Sequence, residues 1–163
     1  MKPSGRELAI AKTLLAMWPH LKGYGEMLEQ KIRTKALGSF DSPIRTEKIM
    51  ERIIDLTVKR HTIANLQKEI DRAIARLPEV TGKVLLNYYG VGNNPRPIKD
   101  MAEEHGMSER SFFRKLDSSI TELAAQLETM GINAFTWANL VTNHEWIKDA
   151  FAREQSGNHR RRS

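Results

Sequence analysis

No cysteine occurs among the 163 residues of this chain. Disulfides, thiolate zinc centres and cysteine nucleophiles are thereby excluded, and a chain without them suits a reducing cytosol. No apolar run approaches the roughly 20 residues that a bilayer span requires. The opening "MKPSGRELAIAKTLLAMW" is interrupted by Lys12 where a secretory signal keeps an apolar core. A soluble, cytoplasmic protein is expected, with no membrane partner. Alternation of apolar and polar residues is also scarce, while apolar residues recur at three- and four-residue spacing throughout, which argues for helices and against strands.

Catalytic signals are as sparse. The five histidines (His20, His61, His105, His144, His159) are scattered, and no two lie three or four residues apart as paired metal ligands on a helix would. His144 falls on the apolar side of its segment, where a structural, partly buried role is expected. Glu103-Glu104 and the pair Asp100/Glu104 have the spacing of a solvated helix face. "GVGNN" at 90–94 lacks both the Lys-Ser/Thr and the preceding strand of a phosphate loop. No metal, no cofactor and no enzymatic activity is expected.

What is present is positive charge. The formal net charge is +6 and the sequence pI about 9.7, a balance that favours polyanionic partners. The charge is unevenly spread. Residues 1–45 carry a net +4, residues 46–76 a net +2, residues 77–131 a net −2 and residues 132–163 a net +2.

The helical pattern reads as follows. A short helix is expected over about Gly5–Met17, with Trp18-Pro19, Gly23 and Gly25 as punctuation, and a second over about Tyr24–Leu37, stopped by Gly38. "GSFDSP" (38–43) reads as a loop in which Ser42 caps the next helix and Pro43 opens it. Ile49, Leu56, Ile63, Ile70 and Leu77 then recur every seven residues, and predict one helix of about 30 residues that ends near Arg76, ahead of Pro78. Arg60 and Gln67 break a strict heptad, so this helix is expected to pack on another helix or on a dimer partner rather than form an ideal zipper. Glu79–Tyr89 follows as a helix, then a turn, a short helix over Ile98–His105, a stop at Gly106, and a longer helix capped by Ser108 and ended by Gly131. A last amphipathic helix is expected over about Phe135–Arg153, with Trp137, Leu140, Val141, His144, Ile147 and Phe151 on one side. The tail, residues 156–163, is basic, lacks apolar anchors and is expected to be disordered.

The stretch "PIKDMAEEHGMSERSFFRKLDSS", residues 97–119, has the requirements of a helix–turn–helix at the right offsets. Ala102 is small where the second helix must cross the first. Gly106 supplies the positive φ of the turn. Met107 is apolar at the following position, Ser108 is an N-cap, and Phe112 faces inward with Ile98 and Met101. Docked in the usual way, the start of the second helix meets base edges in the major groove. The candidate DNA contacts are Glu109, Arg110, Ser111, Phe113, Arg114 and Lys115. Arginine pairs with both guanine acceptors and glutamate accepts from cytosine, while Phe113 suits either a thymine methyl or packing on a neighbouring helix. Lys115 is better suited to phosphate.

"LPEVTGKVLLNYYGVGNNPRPIKDMAEEHGMSERSFFRKLDSSITELAAQL" resembles region four of bacterial sigma factors, which reads the −35 promoter element. With the basic N-terminal part, "GSFDSP" and "TEKIMERIIDLTVKR" added, the arrangement over residues 26–127 resembles the ArpU-like and sigma-like transcription regulators of Gram-positive phages and prophages. The resemblance implies an all-α regulator of phage or prophage genes, with double-stranded DNA as partner and RNA polymerase and a second copy of the chain as candidate partners. The aromatic and basic cluster with which sigma factors open DNA has no counterpart before residue 77, so a stand-alone sigma factor is not implied. The competing reading is a phage DNA-packaging protein like a terminase small subunit. There the DNA-reading module usually comes first; here the long helices precede it. The expected fold is an N-terminal helical arm (1–77) with one long helix, a helix–turn–helix module (78–131), a C-terminal helix (132–155) and the tail.

Overall fold

The computed structural model describes residues 2–38, 45–90, 96–132, 134–149 and 151–152, and among them only helices and turns occur. Among the described residues α1 (Gly5–Met17), α2 (Leu21–Gly38), α3 (Thr46–Ala75), α4 (Glu79–Tyr89), α5 (Ile98–Glu104), α6 (Glu109–Thr129) and α7 (Ala134–Asn143) follow one another, and residues 145–149 and 151–152 are helical as well. The all-α expectation holds. Ser42, Pro43, most of "GVGNN" and the tail lie outside the described residues.

Local chemistry explains most of the boundaries. Ser4 and Glu7 form a reciprocal capping box at the start of α1, with the Ser4 N–H donating to Glu7 Oε2 at 2.6 Å. A 3₁₀ turn, Trp18–His20, then absorbs Pro19 and leads straight into α2. α2 therefore starts three residues before the expected Tyr24, and Gly23 lies inside it together with Gly25. Burial of Leu21 and Leu28, two turns apart on one side, carries the helix through both glycines. Two later helices end in the same motif. Gly106 (φ 64°) and Gly131 (φ 87°) adopt left-handed backbone. The Met107 N–H returns to the Ala102 carbonyl at 2.9 Å, and the Ile132 N–H to that of Leu127 at 2.9 Å.

The chain forms two compact units. The first comprises residues up to Pro19 together with residues from Glu69 onward. Here α6 is the central element: α1, α4 and α5 pack on it, and α1 also meets α4 and α7. Its core is drawn from Leu14 and Leu15 of α1, Ile70 from the end of α3, Leu85 of α4, Met101 of α5, and Phe112 and Leu123 of α6. Each fully buried side chain of this size contributes about 1.5–3 kcal/mol. The indole of Trp18 donates to Asp71 Oδ1 at 2.8 Å, tying the end of α1 to the last turns of α3.

The second unit, His20–Lys68, is a pair of antiparallel helices, α2 and most of α3. Glu29 meets Arg60 at 3.5 Å. Met27, Lys31 and Lys35 line an open groove with Arg52, Asp55 and Leu56. Burial raises the Tyr24 phenol above its ordinary value, an effect that nearby Lys59 partly offsets.

The expected single helix over Phe135–Arg153 is corrected. The helical run breaks at His144, whose carbonyl accepts from the N–H groups of Ile147 (3.1 Å) and Lys148 (3.2 Å) to start a new turn. The break lets Phe151 reach back to Trp137, with ring centroids 5.4 Å apart in an edge-on contact. A straight helix would hold those residues about 21 Å apart along its axis. His144 itself is buried.

Candidate nucleic-acid interface

The second element of the candidate interface starts from its turn. α5 closes at His105, Gly106 takes the left-handed conformation, and Ser108 turns extended (φ −70°, ψ 159°) to cap α6. The Ser111 N–H donates to Ser108 Oγ at 3.2 Å, and the Ser108 hydroxyl donates to Ser111 Oγ at 3.0 Å. Ser111 is exposed; its oxygen accepts one bond in this cap, and its hydroxyl proton and second lone pair remain to meet a ligand.

Behind the turn the small core expected of the motif is present. Ala102 and Met101 are buried, Phe112 is completely so, and Met107 is half-buried. The Phe112 ring lies against His105 at 5.8 Å between centroids. His105 Nε2 is 2.8 Å from the Asn87 amide, which links the turn to α4. Arg96, just before α5, grips the Glu104 carboxylate with both terminal nitrogens. The hydrogen bonds from Arg96 hold the Glu104 carboxyl below its ordinary value and raise the guanidinium in return. α4, α5 and the first half of α6 are thus braced by side-chain bonds as well as by packing.

The free side of α6 then presents a short row. Arg110, Phe113, Arg114, Asp117 and Ser118 are all exposed and fall within about 140° of the helix circumference at 100° per residue. Phe113 is 40% exposed, with its ring edge-on to Phe112 at 6.5 Å. Buried Phe112 thus steadies a ring that would otherwise be free to turn. Neither Arg110 nor Arg114 has an ion-pair partner among the described residues. They sit one turn apart, about 6 Å along the axis, roughly two base steps. Glu109 is exposed at the first helical position, beside the row.

Lys115 is placed differently from its expected position. It is half-buried on the flank of α6, where its ammonium donates to the Thr81 hydroxyl of α4 at 3.4 Å. Thr81, fully buried, in turn donates to Glu122 Oε2 at 3.2 Å. Of the six candidates, five therefore lie on or beside the free face, and Lys115 lies between helices. Asp117 and Ser118 were missing from the candidates. The signal for them was available, since the three- and four-residue spacing of Arg110 and Arg114 extends one turn further.

The electrostatics are mixed. The row has two arginines against one aspartate, with Glu109 close by. On α5, Lys99 is exposed among exposed Asp100, Glu103 and Glu104. No cluster of three or more possible metal ligands occurs among the described residues. No helix of the described residues is long and apolar enough to cross a membrane. Compared with known proteins, the chain matches no family model, no curated protein and no solved structure.

Proposed function

We propose that this protein is a sequence-specific DNA-binding regulator of transcription that reads the major groove with the first half of α6. One observation carries the reading: α5, the left-handed Gly106 turn and α6 follow one another, and α6 presents outward two arginines, without ion-pair partners among the described residues, on either side of an exposed aromatic ring. A helix fits the major groove, and bidentate arginine–guanine pairs discriminate bases by about 1–3 kcal/mol each. Phe113, lying between the arginines, suits a thymine methyl. The N-terminus of α6, where Glu109 and Arg110 are exposed, suits a phosphate beside the groove.

The charge balance sets a limit on affinity. Non-specific binding scales with the number of phosphates neutralised, and this module is net negative over residues 77–131. The regulator therefore relies on additional contacts: the basic N-terminal segment, RNA polymerase or a second copy of the chain. The resemblance to sigma region four and to phage and prophage regulators supports transcription over packaging, as does the position of the module after the long helices.

The test is capture of fragmented genomic DNA from the source organism at moderate salt, with the wild type beside the Arg110→Ala/Arg114→Ala variant. The expected result is enrichment of a few promoter-proximal sites that the variant loses. Enrichment beside a packaging gene would replace transcription with genome packaging. No enrichment with or without RNA polymerase would remove DNA reading altogether.

A further inference from the structure

Ile54, Met50 and Val58 are 59%, 57% and 59% exposed, although each is a large apolar side chain within a long helix. They stand at four-residue spacing, so they form one stripe along three turns of α3. At 100° per residue the stripe lies opposite Ile49, Leu56 and Ile63, which face the interior. α3 therefore has two apolar sides, and the two-helix unit His20–Lys68 covers only one of them. Exposed apolar residues in a row, rather than singly, mark an interaction surface.

The charged residues beside the stripe identify what covers it. Its N-terminal end carries exposed Glu47 and Glu51, and its C-terminal end carries exposed His61 and, two turns on, Lys68. None of these four has an ion-pair partner among the described residues. The face is thus acidic at one end and basic at the other. A two-fold axis at Ile54 makes it self-complementary. Ile54 meets its own equivalent, Met50 meets the partner's Val58, and Glu47 meets the partner's His61 at both ends. A parallel pairing would instead set glutamates against glutamates. Isologous contacts of this kind are how most homodimers are built.

We infer that this chain forms an antiparallel homodimer through the outward stripe of α3, with Ile54 on the two-fold axis. The carboxylate of Glu47 accepts from the imidazole N–H of the partner's His61, which is a donor whether or not the ring is charged. The buried patch is short, so the interface belongs at the low end of specific sizes, near or below about 1,200 Å². The inference rests on α3 alone and stands or falls independently of the DNA-reading proposal.

The absence of cysteine makes a direct test simple. Ile54→Cys places a thiol on the axis and should form a disulfide-linked dimer under mild oxidation. Met50→Cys should not, because antiparallel pairing holds the two copies of residue 50 about 12 Å apart along the axis, beyond the roughly 7 Å reach of a disulfide. In sedimentation equilibrium, Ile54→Glu should weaken association at least about tenfold. Glu47→Lys should weaken it too, and Glu47→Lys/His61→Glu should restore it. Circular dichroism verifies that these surface variants remain folded. A wild type that stays monomeric at about 1 mM, where even a millimolar Kd would show, would overturn the inference. So would cross-linking of Met50→Cys as fast as Ile54→Cys, or association unaffected by Ile54→Glu.

Discussion

The ammonium of Lys115 on α6 lies 3.4 Å from the hydroxyl of Thr81 on α4, and that hydroxyl in turn bonds Glu122, two turns further along the same face of α6. A residue whose type suggests a phosphate contact is thus part of the joint that sets the angle between two helices. Thr81→Val keeps the shape but removes the bridge, leaving a half-buried ammonium and carboxylate without their shared partner. The expected cost is about 1–3 kcal/mol, seen as a lower denaturant midpoint. Lys115→Gln should leave the slope of log affinity against log salt on duplex DNA as in the wild type. A phosphate contact would lower that slope by about one.

Gly106 has φ 64° and open space around the position its Cβ would occupy. The cost of a side chain there is therefore purely one of backbone conformation. Gly106→Ala should destabilise by about 1–2 kcal/mol. Gly106→Asn should cost less, because asparagine tolerates the left-handed region. Thermal unfolding of the three proteins checks the ranking. Equal midpoints would show that the turn does not hold this conformation in solution.

These positions also show what a sequence can reveal. Gly106 and Ser108 act through neighbours within six residues and Phe112 through neighbours within fourteen, so their spacing in the chain states their roles. Gly131 and the end of α3 before Pro78 are legible for the same reason. The packing of α1 on α6 joins segments about 100 residues apart, and nothing local to either announces it. Lys115 was misplaced on the same account: its partner Thr81 is 34 residues away, so its exposure could not be read from its own neighbourhood. Gly23 and Gly25 mislead in the opposite sense. Their propensity argues for a break, but burial of Leu21 and Leu28 outweighs it.

That last conflict is open to measurement. Glycine within a helix costs about 1 kcal/mol relative to alanine, and no atom lies within 4 Å of a Cβ built at Gly23 or Gly25. Gly23→Ala/Gly25→Ala should therefore stabilise the protein by about 1–2 kcal/mol and raise the melting temperature by several degrees. An unchanged or lower melting temperature would mean that these glycines do not lie in a helix.

The Arg96–Glu104 pair predicts a pH dependence with a definite sign. Its hydrogen bonds lower the Glu104 carboxyl below its ordinary value of about 4.5. A depressed carboxylate contributes stability above its unfolded pKa and loses it as pH falls through the folded value. Both groups are largely solvated, so the contribution is small. The wild type should have a slightly higher urea midpoint than Glu104→Gln at pH 7, and the difference should shrink as the pH is lowered below the ordinary carboxylate range. A difference that does not change with pH would mean that the charge of Glu104 is not its source.

Asp117 stands on the same exposed face as Arg110 and Arg114, two turns beyond the first of them. On the proposed reading helix it brings a negative charge toward the phosphates. Two unit charges about 4 Å apart in water interact by about 1 kcal/mol, so removing the repulsion should strengthen binding roughly fivefold. This gain applies to any duplex. A specific site that uses the carboxylate as an acceptor, as cytosine's amino group permits, gains less or loses affinity. Asp117→Asn should therefore tighten binding to random-sequence DNA at low salt while reducing the ratio of specific to non-specific affinity. Fluorescence anisotropy on the two kinds of duplex at two salt concentrations measures both effects. If neither affinity changes, Asp117 lies off the interface, and the contact is confined to the first turn and a half of α6, around Arg110, Phe113 and Arg114.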